Sequence, residues 1–533
     1  MSTASSDEDP KTRAAAPGWL PHLASLVVVT AIGFLARAFS VLPSEFPLND
    51  GGLFYQMTVD LRDAWPALPA TTTYNGLDIP YAYPPLGFYL GAATLDLFGG
   101  VDLMRLLPLI LSTLTVPAIY GLAHALRGSV LVPTAAGLAF ALTPRAFEWL
   151  VMGGGLTRSL GVLTAIVAVW MTSRLLDRPT LARVVLAGMA GGLCVLSHPQ
   201  GALLASTGAV LLVVARARSR VAVIAVLGAA VVALAVVLPW IAFVMINHGS
   251  PAPLLSAAGT QPGVLTGAFN LLALDYSGSR VSVVIGVLAI SGLILAVMQG
   301  RWLLPAWFAA VMVLDSRGGA IYAAVPASIL AAEAVVHLVV SPFWRAASPE
   351  RRPIRWAMHN VPAAALITFF FLAAMTDALG TQVTSDWTDR SVSPDQRQAM
   401  EWVRTDGPGD ATYLVITGAF WATDAVSEWF PVLTEATSVA TVQGTEWLGT
   451  DRFYAAAEAS DDLIACGAES VDCVTRWAER WGVSYDFIFV ATGPGASDSC
   501  CAALREALAA DSEYRTVYDE PGAIIVERLD SES

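Results

Sequence analysis

The sequence predicts a polytopic α-helical membrane protein with about eleven transmembrane helices and a C-terminal α/β domain outside the membrane. The 533 residues are 55% hydrophobic and only 14% charged, whereas soluble domains carry about 25% charged residues. Long apolar runs recur within residues 19–378, while residues 379–533 contain 27 Asp and Glu against nine Arg. This acidic balance is opposite in sign to a nucleic-acid-binding surface, so no nucleic-acid partner is expected.

Each predicted span is an apolar run close to the roughly 20 residues that a helix needs to cross a bilayer. Residues 1–18 form a predicted cytoplasmic tail. The run that begins at residue 19 lacks a small-residue cleavage site, so it is interpreted as a retained first helix. The predicted spans are residues 20–41, 104–126, 129–147, 157–176, 182–198, 200–215, 221–246, 281–299, 302–314, 319–341 and 357–378.

The arginine distribution predicts the orientation. With the N-terminus inside, the arginine clusters at residues 174–183, 216–220 and 345–355 all lie on the cytoplasmic side, as the positive-inside rule requires. A long first outer loop, residues 42–103, and the C-terminal domain then lie outside. Residues 84–98 are predicted to form an interfacial helix, because a further span there would move the arginine clusters outside.

Within the C-terminal domain the pattern predicts helices at residues 396–404 and 470–481 and strands at 411–417 and 485–491, followed by a hairpin. Disulfides are favoured over zinc because the domain has four cysteines, no histidine and no CxxC motif. The runs EWFP at 428–431 and QGTEW at 443–447 place acids beside tryptophans, and a core role is favoured over sugar binding. The cysteines are Cys466, Cys473, Cys500 and Cys501.

Asp50 is the first candidate for chemistry. It follows the first helix in the run PSEFPLNDGGLFYQM, where two glycines allow the backbone to bend closely around a ligand. A carboxylate just outside the bilayer can act as a general base on a hydroxyl acceptor. The alternative is an ordinary turn residue in water. Tyr55, which lies shortly after it, is a candidate substrate-binding residue.

Several arginines on the predicted outer side depart from the positive-inside bias. A guanidinium at a helix end suits a phosphate, because it is always charged and binds bidentately. The alternative is an ion pair with a neighbouring carboxylate, such as Asp102 or Asp315. The phosphate-binding candidates are Arg105, Arg158 and Arg317, with Arg280 behind them, and Arg62 is also on this side.

Two further features lie near the predicted outer helix ends. The run GGGLTR, residues 153–158, precedes a helix and could bind an anion, although three glycines in a membrane loop also allow close packing. His198, in the run SHPQ, is a candidate substrate-binding residue, and the alternative is a hydrogen-bonded helix-end residue.

The order of these features resembles a known family. The outer-loop Asp50 is followed by YNG at Tyr74–Gly76 and by a Pro-Pro-Leu run into an aromatic helix that ends in LFGG. Arg105 then begins the run RLLPLILSTLTVPAIYGLAHAL. This order, clearest over residues 40–145, resembles the protein mannosyltransferase and aminoarabinose transferase superfamily, the membrane glycosyltransferases of the GT-C fold.

The resemblance implies transfer of a sugar from a polyprenyl phosphate, such as dolichyl phosphate, to a protein or lipid hydroxyl on the outer side, with inversion. It maps the family's catalytic Asp onto Asp50 and leaves the lipid phosphate to basic residues near the outer helix ends. No cofactor is required, although Asp50 would be the residue to bind a divalent cation, as in the oligosaccharyltransferase branch. The family usually has Asp-Glu where this chain has Asp50-Gly51, and many members have a second Asp where Thr157-Arg158 stands here, so the acceptor type stays open.

The same sequence bears on other functional classes. A transporter or flippase of lipid-linked glycans predicts paired charges deep in the membrane and a repeated half, and neither is evident. A non-catalytic anchor leaves the long first outer loop and its aspartate without a role. A polymerase of lipid-linked glycans is the closest chemical alternative. The sugar, the acceptor and the role of the C-terminal domain are left open.

Overall fold

The computed structural model describes residues 19–252, 265, 283–315, 318–340, 391–493 and 500–529. A bundle of apolar helices forms the N-terminal part, and a mixed α/β unit forms the C-terminal part. The predicted span at 357–378 and the candidates Arg280 and Arg317 lie outside the described residues.

The structure has a helix at each of the other ten predicted spans. Six described helices are long and apolar enough to cross a membrane. The long helices are α1 (Leu20–Val41), α4 (Leu103–Arg127), α7 (Gly155–Asp177), α9 (Pro199–Arg216), α10 (Arg220–His248) and α13 (Gly319–Ala334), which continues helically as far as Leu338. The shorter apolar helices are α3 (Leu86–Phe98), α5 (Leu131–Leu142), α8 (Leu181–Val195), α11 (Val283–Met298) and α12 (Leu303–Leu314). The total of eleven spans stays a prediction.

Helix α5 is shorter than the predicted span 129–147. Thr143, the residue after its last turn, has an extended backbone with ψ 111°, because Pro144 disfavours the helical conformation in the residue before it. The chain then forms the one-turn helix α6 (Glu148–Val151) before α7 begins. The end of α5 therefore leaves a short connection next to the start of α7.

The bundle has close helix contacts inside and apolar side chains outside. A Cβ atom added at Gly121 would lie 2.5 Å from the Trp170 ring, so a small residue is needed where α4 packs on α7. On α10, Ile224, Val231 and Leu234 are more than half exposed. An apolar outer surface of this extent is what contact with lipid requires, so the chain is a multi-pass membrane protein.

The first outer loop is largely ordered. It contains α2 (Gly52–Asp63), the two-residue strands β1 (Thr71–Thr72) and β2 (Ile79–Pro80), and α3. The Asp60 carboxylate accepts hydrogen bonds from the Thr72 hydroxyl at 2.6 Å and from the Thr73 backbone N–H at 2.9 Å. These bonds fasten the small hairpin to α2. Helix α3, at the predicted interfacial segment, packs against α2, α4 and α7.

The C-terminal part is built on a five-stranded sheet with strand order β4-β3-β5-β7-β6. Strands β4, β3 and β5 are parallel, and β7 is antiparallel to both β5 and β6. All five residues of β5 are buried, as in a strand covered on both faces. The strands are β3 (Thr412–Ile416), β4 (Thr437–Ser438), β5 (Phe487–Ala491), β6 (Tyr514–Glu520) and β7 (Ala523–Arg528). The helices are α14 (Pro394–Asp406), α15 (Ala425–Thr434), α16 (Thr450–Cys466), α17 (Val471–Trp481) and α18 (Ala502–Ala510).

The four cysteines of the C-terminal part are paired. Cys466 and Cys473 form one disulfide, which joins the end of α16 to α17. Cys500 and Cys501 form the other. Cys194, in α8, is buried and free. The sequence-based preference for disulfides therefore agrees with the structure, and the pairing is between near neighbours in the chain.

Candidate active site

Asp50 lies between α1 and α2, and its carboxylate points at the N-terminus of α7. The backbone N–H of Gly154, the residue that caps α7, donates a hydrogen bond of 3.0 Å to Asp50 Oδ1. The N-terminus of a 23-residue helix carries a partial positive charge, which stabilises a carboxylate placed there. The fold thus fixes the direction of the candidate base relative to the membrane helices.

Three glycines allow this close approach. A Cβ atom at Gly154 would overlap the Asp50 carboxylate, and one at Gly153 would overlap the Asp50 backbone carbonyl. Gly51 has φ 133°, a conformation that side chains disfavour, and a Cβ there would lie 2.8 Å from the Gly153 Cα. The GGGLTR run therefore serves close packing, and the group packed against it is Asp50.

The opposite side of the Asp50 segment is held by the C-terminal part. Glu428, in the first turn of α15, accepts hydrogen bonds through Oε1 from the backbone N–H of Gly51 at 2.8 Å and of Leu53 at 3.4 Å. The indole N–H of Trp429 donates to the Asn49 carbonyl at 3.3 Å. The EWFP run is buried, as predicted, but it is buried against the candidate active-site loop.

Burial raises the pKa of Glu428 above its ordinary range, and the negative charge of Asp50 raises it further. The N–H groups of Gly51 and Leu53 act in the opposite direction. A buried carboxyl group and a neighbouring, partly exposed one cannot both ionise easily, because like charges repel strongly where water is largely excluded. One turn earlier, burial raises the pKa of Asp424 to about 6.

Further bonds join the first outer loop to the C-terminal part. The Tyr74 hydroxyl donates to the Glu428 carbonyl at 2.8 Å. The Asn75 side chain donates to the Ser438 carbonyl at 2.9 Å and accepts from the Ser438 N–H at 2.7 Å. Asn75 has φ 56°, a left-handed conformation that asparagine tolerates better than most residues. The YNG run is thus a docking point for the C-terminal part.

Arg158 lies one turn after Gly154 on α7. It donates to the Trp149 carbonyl at 2.9 Å, and its guanidinium lies 5.5 Å from the centre of the Trp149 ring. Among the residues that the structure describes, no carboxylate lies within ion-pair distance of Arg158. Burial raises the pKa of Tyr83 to about 12, and the nearby positive charge of Arg158 opposes this effect.

The other described arginine candidate, Arg105, is already paired. Its guanidinium donates to Asp102 at 2.6 Å and to the Glu45 carbonyl at 3.3 Å. This is the ion pair that the sequence offered as the alternative to phosphate binding. Arg62 is likewise paired, with Asp96 at 2.5 Å.

The two other substrate-binding candidates lie on different helices, His198 at the start of α9 and Tyr55 on α2. His198 caps α9 by accepting from the Gln200 N–H at 3.2 Å, and its ring lies 3.2 Å from the Tyr322 hydroxyl through Nδ1. These contacts match the helix-end alternative, although the ring also neighbours Tyr83, at 6.0 Å between centroids. Tyr55, on α2, is half-buried with its ring 5.9 Å from Trp429.

The C-terminal part also contacts this region through a second tryptophan. The Trp447 ring, from the QGTEW run, lies 5.6 Å from the Tyr83 ring. The negative charges of Glu446 and Asp50 both raise the Tyr83 pKa, so the two carboxylates lie near one phenol. Among the described residues, no group of three or more His, Cys, Asp and Glu side chains converges to hold a metal ion.

Sequence inspection missed two residues. Glu428 was placed in the core, because EWFP has the same local pattern whether it packs in a core or against a site. Arg37 is fully buried in α1, where it donates to the Ser112 hydroxyl at 2.8 Å and lies 4.8 Å from the Phe147 ring. Its signal was visible, since a charged residue inside an apolar span is unusual.

Part of the chain matches a known protein family by sequence. Residues 82–243 match the family model described as dolichyl-phosphate-mannose-protein mannosyltransferase. No curated protein matches the chain by sequence. ArnT from Cupriavidus metallidurans, solved bound to undecaprenyl phosphate, is similar with a TM-score of 0.55 at 14% identity, over 97% of this chain and 99% of that chain.

Two other solved structures are similar. The Archaeoglobus fulgidus oligosaccharyltransferase, tethered with an acceptor peptide containing the NVT sequon, has a TM-score of 0.57 at 15% identity, over 89% of this chain and 70% of that one. The arabinofuranosyltransferase AftD from Mycobacteria has a TM-score of 0.53 at 17% identity, over 94% of this chain and 41% of that one. At these identities the likeness establishes the fold.

The family match covers the chain from just before α3 to most of α10, which includes Arg105, Arg158 and His198. Asp50 precedes it, but the shared fold extends over nearly the whole chain. The chain therefore resembles the dolichyl-phosphate-mannose-protein mannosyltransferase family over residues 82–243 and shares its fold with the membrane glycosyltransferases named above.

Proposed function

We propose that the protein transfers a sugar from a polyprenyl-phosphate donor, such as dolichyl phosphate, to a hydroxyl of a protein or lipid acceptor, with inversion. The observation that carries this proposal is the Asp50 carboxylate held at the start of α7, one turn from Arg158, whose charge has no carboxylate partner among the described residues. A base and a phosphate-binding cation on one helix end are the two groups that this transfer needs.

In the proposed step, Asp50 accepts the proton of the acceptor hydroxyl as its oxygen attacks the anomeric carbon. The bond from that carbon to the phosphate oxygen breaks, and the electron pair leaves with the lipid phosphate. Arg158 stabilises the charge that develops on this leaving group. A single displacement inverts the anomeric configuration and needs no covalent sugar–enzyme intermediate.

The roles of the remaining candidates follow from their positions. Arg317 and Arg280 stay proposed phosphate-binding residues, and Tyr55 and His198 stay proposed substrate-binding residues. Arg105 ranks behind Arg158, because its charge is already neutralised by Asp102. The lipid donor suits the setting, since it reaches the site by diffusion within the bilayer. ArnT, which is similar in fold, was solved with undecaprenyl phosphate, and this supports a donor of that class.

We also propose that the N-terminus is cytoplasmic and that the site and the C-terminal part face the outside. The arginine clusters at predicted inner loops and the disulfides of the C-terminal part both favour this orientation.

The test is donor-dependent transfer in membranes that contain the full chain. Radiolabelled sugar should pass from a polyprenyl phosphate to endogenous protein or lipid, and the same sugar as a nucleotide derivative should not be used directly. Membranes without the protein provide the background. Transfer at background level with every lipid donor would contradict the proposal and favour a transporter or flippase instead. Products of many added sugar units would identify a polymerase.

A further inference from the structure

Glu428 comes from the C-terminal part yet contacts the segment that carries the candidate base. Its Oε1 accepts two backbone N–H groups, those of Gly51 and Leu53, which flank the turn after Asp50. Its carbonyl accepts the Tyr74 hydroxyl, and the next residue, Trp429, donates to the Asn49 carbonyl. Glu428 therefore contacts the Asp50 segment through both its side chain and its backbone.

The surroundings of Glu428 do not favour a charged side chain. It is 4% exposed. Asp50, from the first outer loop, and Glu446, from the C-terminal part, add negative charge near it. The Tyr74 hydroxyl donates to its carbonyl, and Asp424 caps the helix that carries it. Among the described residues, no Arg, Lys or His side chain forms an ion pair with it. A buried carboxyl group with acidic neighbours retains its proton.

We infer that Glu428 is a positioning residue for Asp50: it holds the Asp50–Gly51–Gly52 turn through the N–H groups of Gly51 and Leu53 and makes the C-terminal part a structural component of the active site. This inference rests on the proposed role of Asp50. A neutral Glu428 accepts the two N–H groups without placing a second negative charge beside the base. Asp50 can then stay ionised and ready to accept a proton.

The same geometry explains why the turn needs support from outside. Asn49 has φ 55° and Gly51 has φ 133°, so the residues on both sides of Asp50 have backbone conformations that are disfavoured for most side chains. On the α7 side, Gly154 N–H fixes the Asp50 carboxylate. On the other side, α15 fixes the backbone of this segment through the bonds of Glu428 and Trp429 described above.

The experiment compares Glu428→Gln and Glu428→Ala with wild type in the full-length protein. Glutamine keeps the carbonyl acceptor and is neutral at every pH, so transfer should stay within about twofold of wild type at neutral pH and persist to higher pH. Alanine leaves two buried N–H groups unbonded, and kcat should fall about 100-fold with the KM for the lipid donor nearly unchanged. Glu458→Gln and Glu458→Ala, on the exposed face of α16, are the matched controls.

A loss in Glu428→Gln as large as in Glu428→Ala would overturn the inference, and so would full activity in Glu428→Ala. A second readout does not depend on the reaction. The thermal unfolding temperature of purified wild type should fall relative to that of Glu428→Gln as the pH rises from about 4.5 to about 8, from the ordinary to the raised pKa of Glu428, and the difference should stay constant above that pH. Parallel pH profiles would overturn the inference even if no transfer were detected, whereas divergent profiles without transfer would count against the proposed function alone.

Discussion

Asp50 and Gly154 are joined across 104 residues of sequence by a hydrogen bond of 3.0 Å from the glycine N–H to the aspartate Oδ1. The bond connects the first outer loop to the start of a membrane helix. It sets where a proton can be accepted relative to the bilayer surface, and it depends on the absence of a side chain at position 154.

Gly154→Ala should therefore disable the site. The added methyl group would overlap the Asp50 carboxylate, so the base must move by about 1 Å, and a displacement of this size reduces turnover about 100-fold. Sugar transfer in membranes at matched expression measures this effect. Gly191→Ala, in α8, is the control, because a Cβ there meets nothing closer than 3.7 Å. Equal activity in both variants would contradict the placement of Asp50 at this helix end.

Arg158→Gln should weaken use of the lipid donor. Loss of a charge-assisted contact to phosphate costs roughly 1.5–3 kcal/mol, which corresponds to about a 10- to 150-fold decrease in kcat/KM. Arg105→Gln serves as the comparison, since its guanidinium is occupied by Asp102, and it should reduce kcat/KM by less than about threefold. A larger loss in Arg105→Gln than in Arg158→Gln would exchange the two assignments.

Asn75→Ala should loosen the attachment of the first outer loop to the C-terminal part. The substitution removes two hydrogen bonds to Ser438 and leaves buried backbone groups unbonded, so we expect a loss of about 1–3 kcal/mol in the free energy of unfolding. Thermal unfolding of the purified protein provides the measurement. Asn247→Ala, at an exposed position near the end of α10, should change stability by less than about 0.5 kcal/mol.

Asp424 should make the stability of the folded protein depend on pH below neutrality. Burial raises its pKa to about 6, so the folded protein keeps a proton that the unfolded chain has already released. The stability associated with this group is complete below its ordinary pKa of about 4 and is lost as the pH rises to about 6, by at most about 3 kcal/mol. Asp424→Asn should remove this pH dependence from thermal unfolding curves. An unchanged curve would show that Asp424 titrates normally.

The membrane helices could be predicted because each is a local pattern of apolar residues. Errors arose at their ends, as at Thr143, where a proline rather than a loss of hydrophobicity ends the helix. The ion pair of Arg105 with Asp102 was also foreseeable, since the two residues lie one helical turn apart.

The site itself depends on contacts between distant segments, which one sequence does not reveal. Glu428 and Gly51 are 377 residues apart, and nothing in the run EWFP distinguishes a carboxyl group buried beside a base from one buried in a core. The glycines at 153–155 were noticed, but the group that packs on them could not be identified. Asp50 became a candidate because it follows the first helix and precedes two glycines, but only the resemblance to a known family gave it the role of the base, and that role stays a prediction.

The role of Asp50 as the base is the central claim, and transfer of radiolabelled sugar from polyprenyl-phosphate donors in membranes tests it most directly. Wild type, Asp50→Asn and the exposed control Asp63→Asn should be compared at equal expression. We predict transfer by wild type and by Asp63→Asn, and a loss of 100-fold to 10,000-fold, roughly the contribution of a general base, in Asp50→Asn. Equal transfer by Asp50→Asn and wild type would contradict the assignment and remove Asp50 from the mechanism.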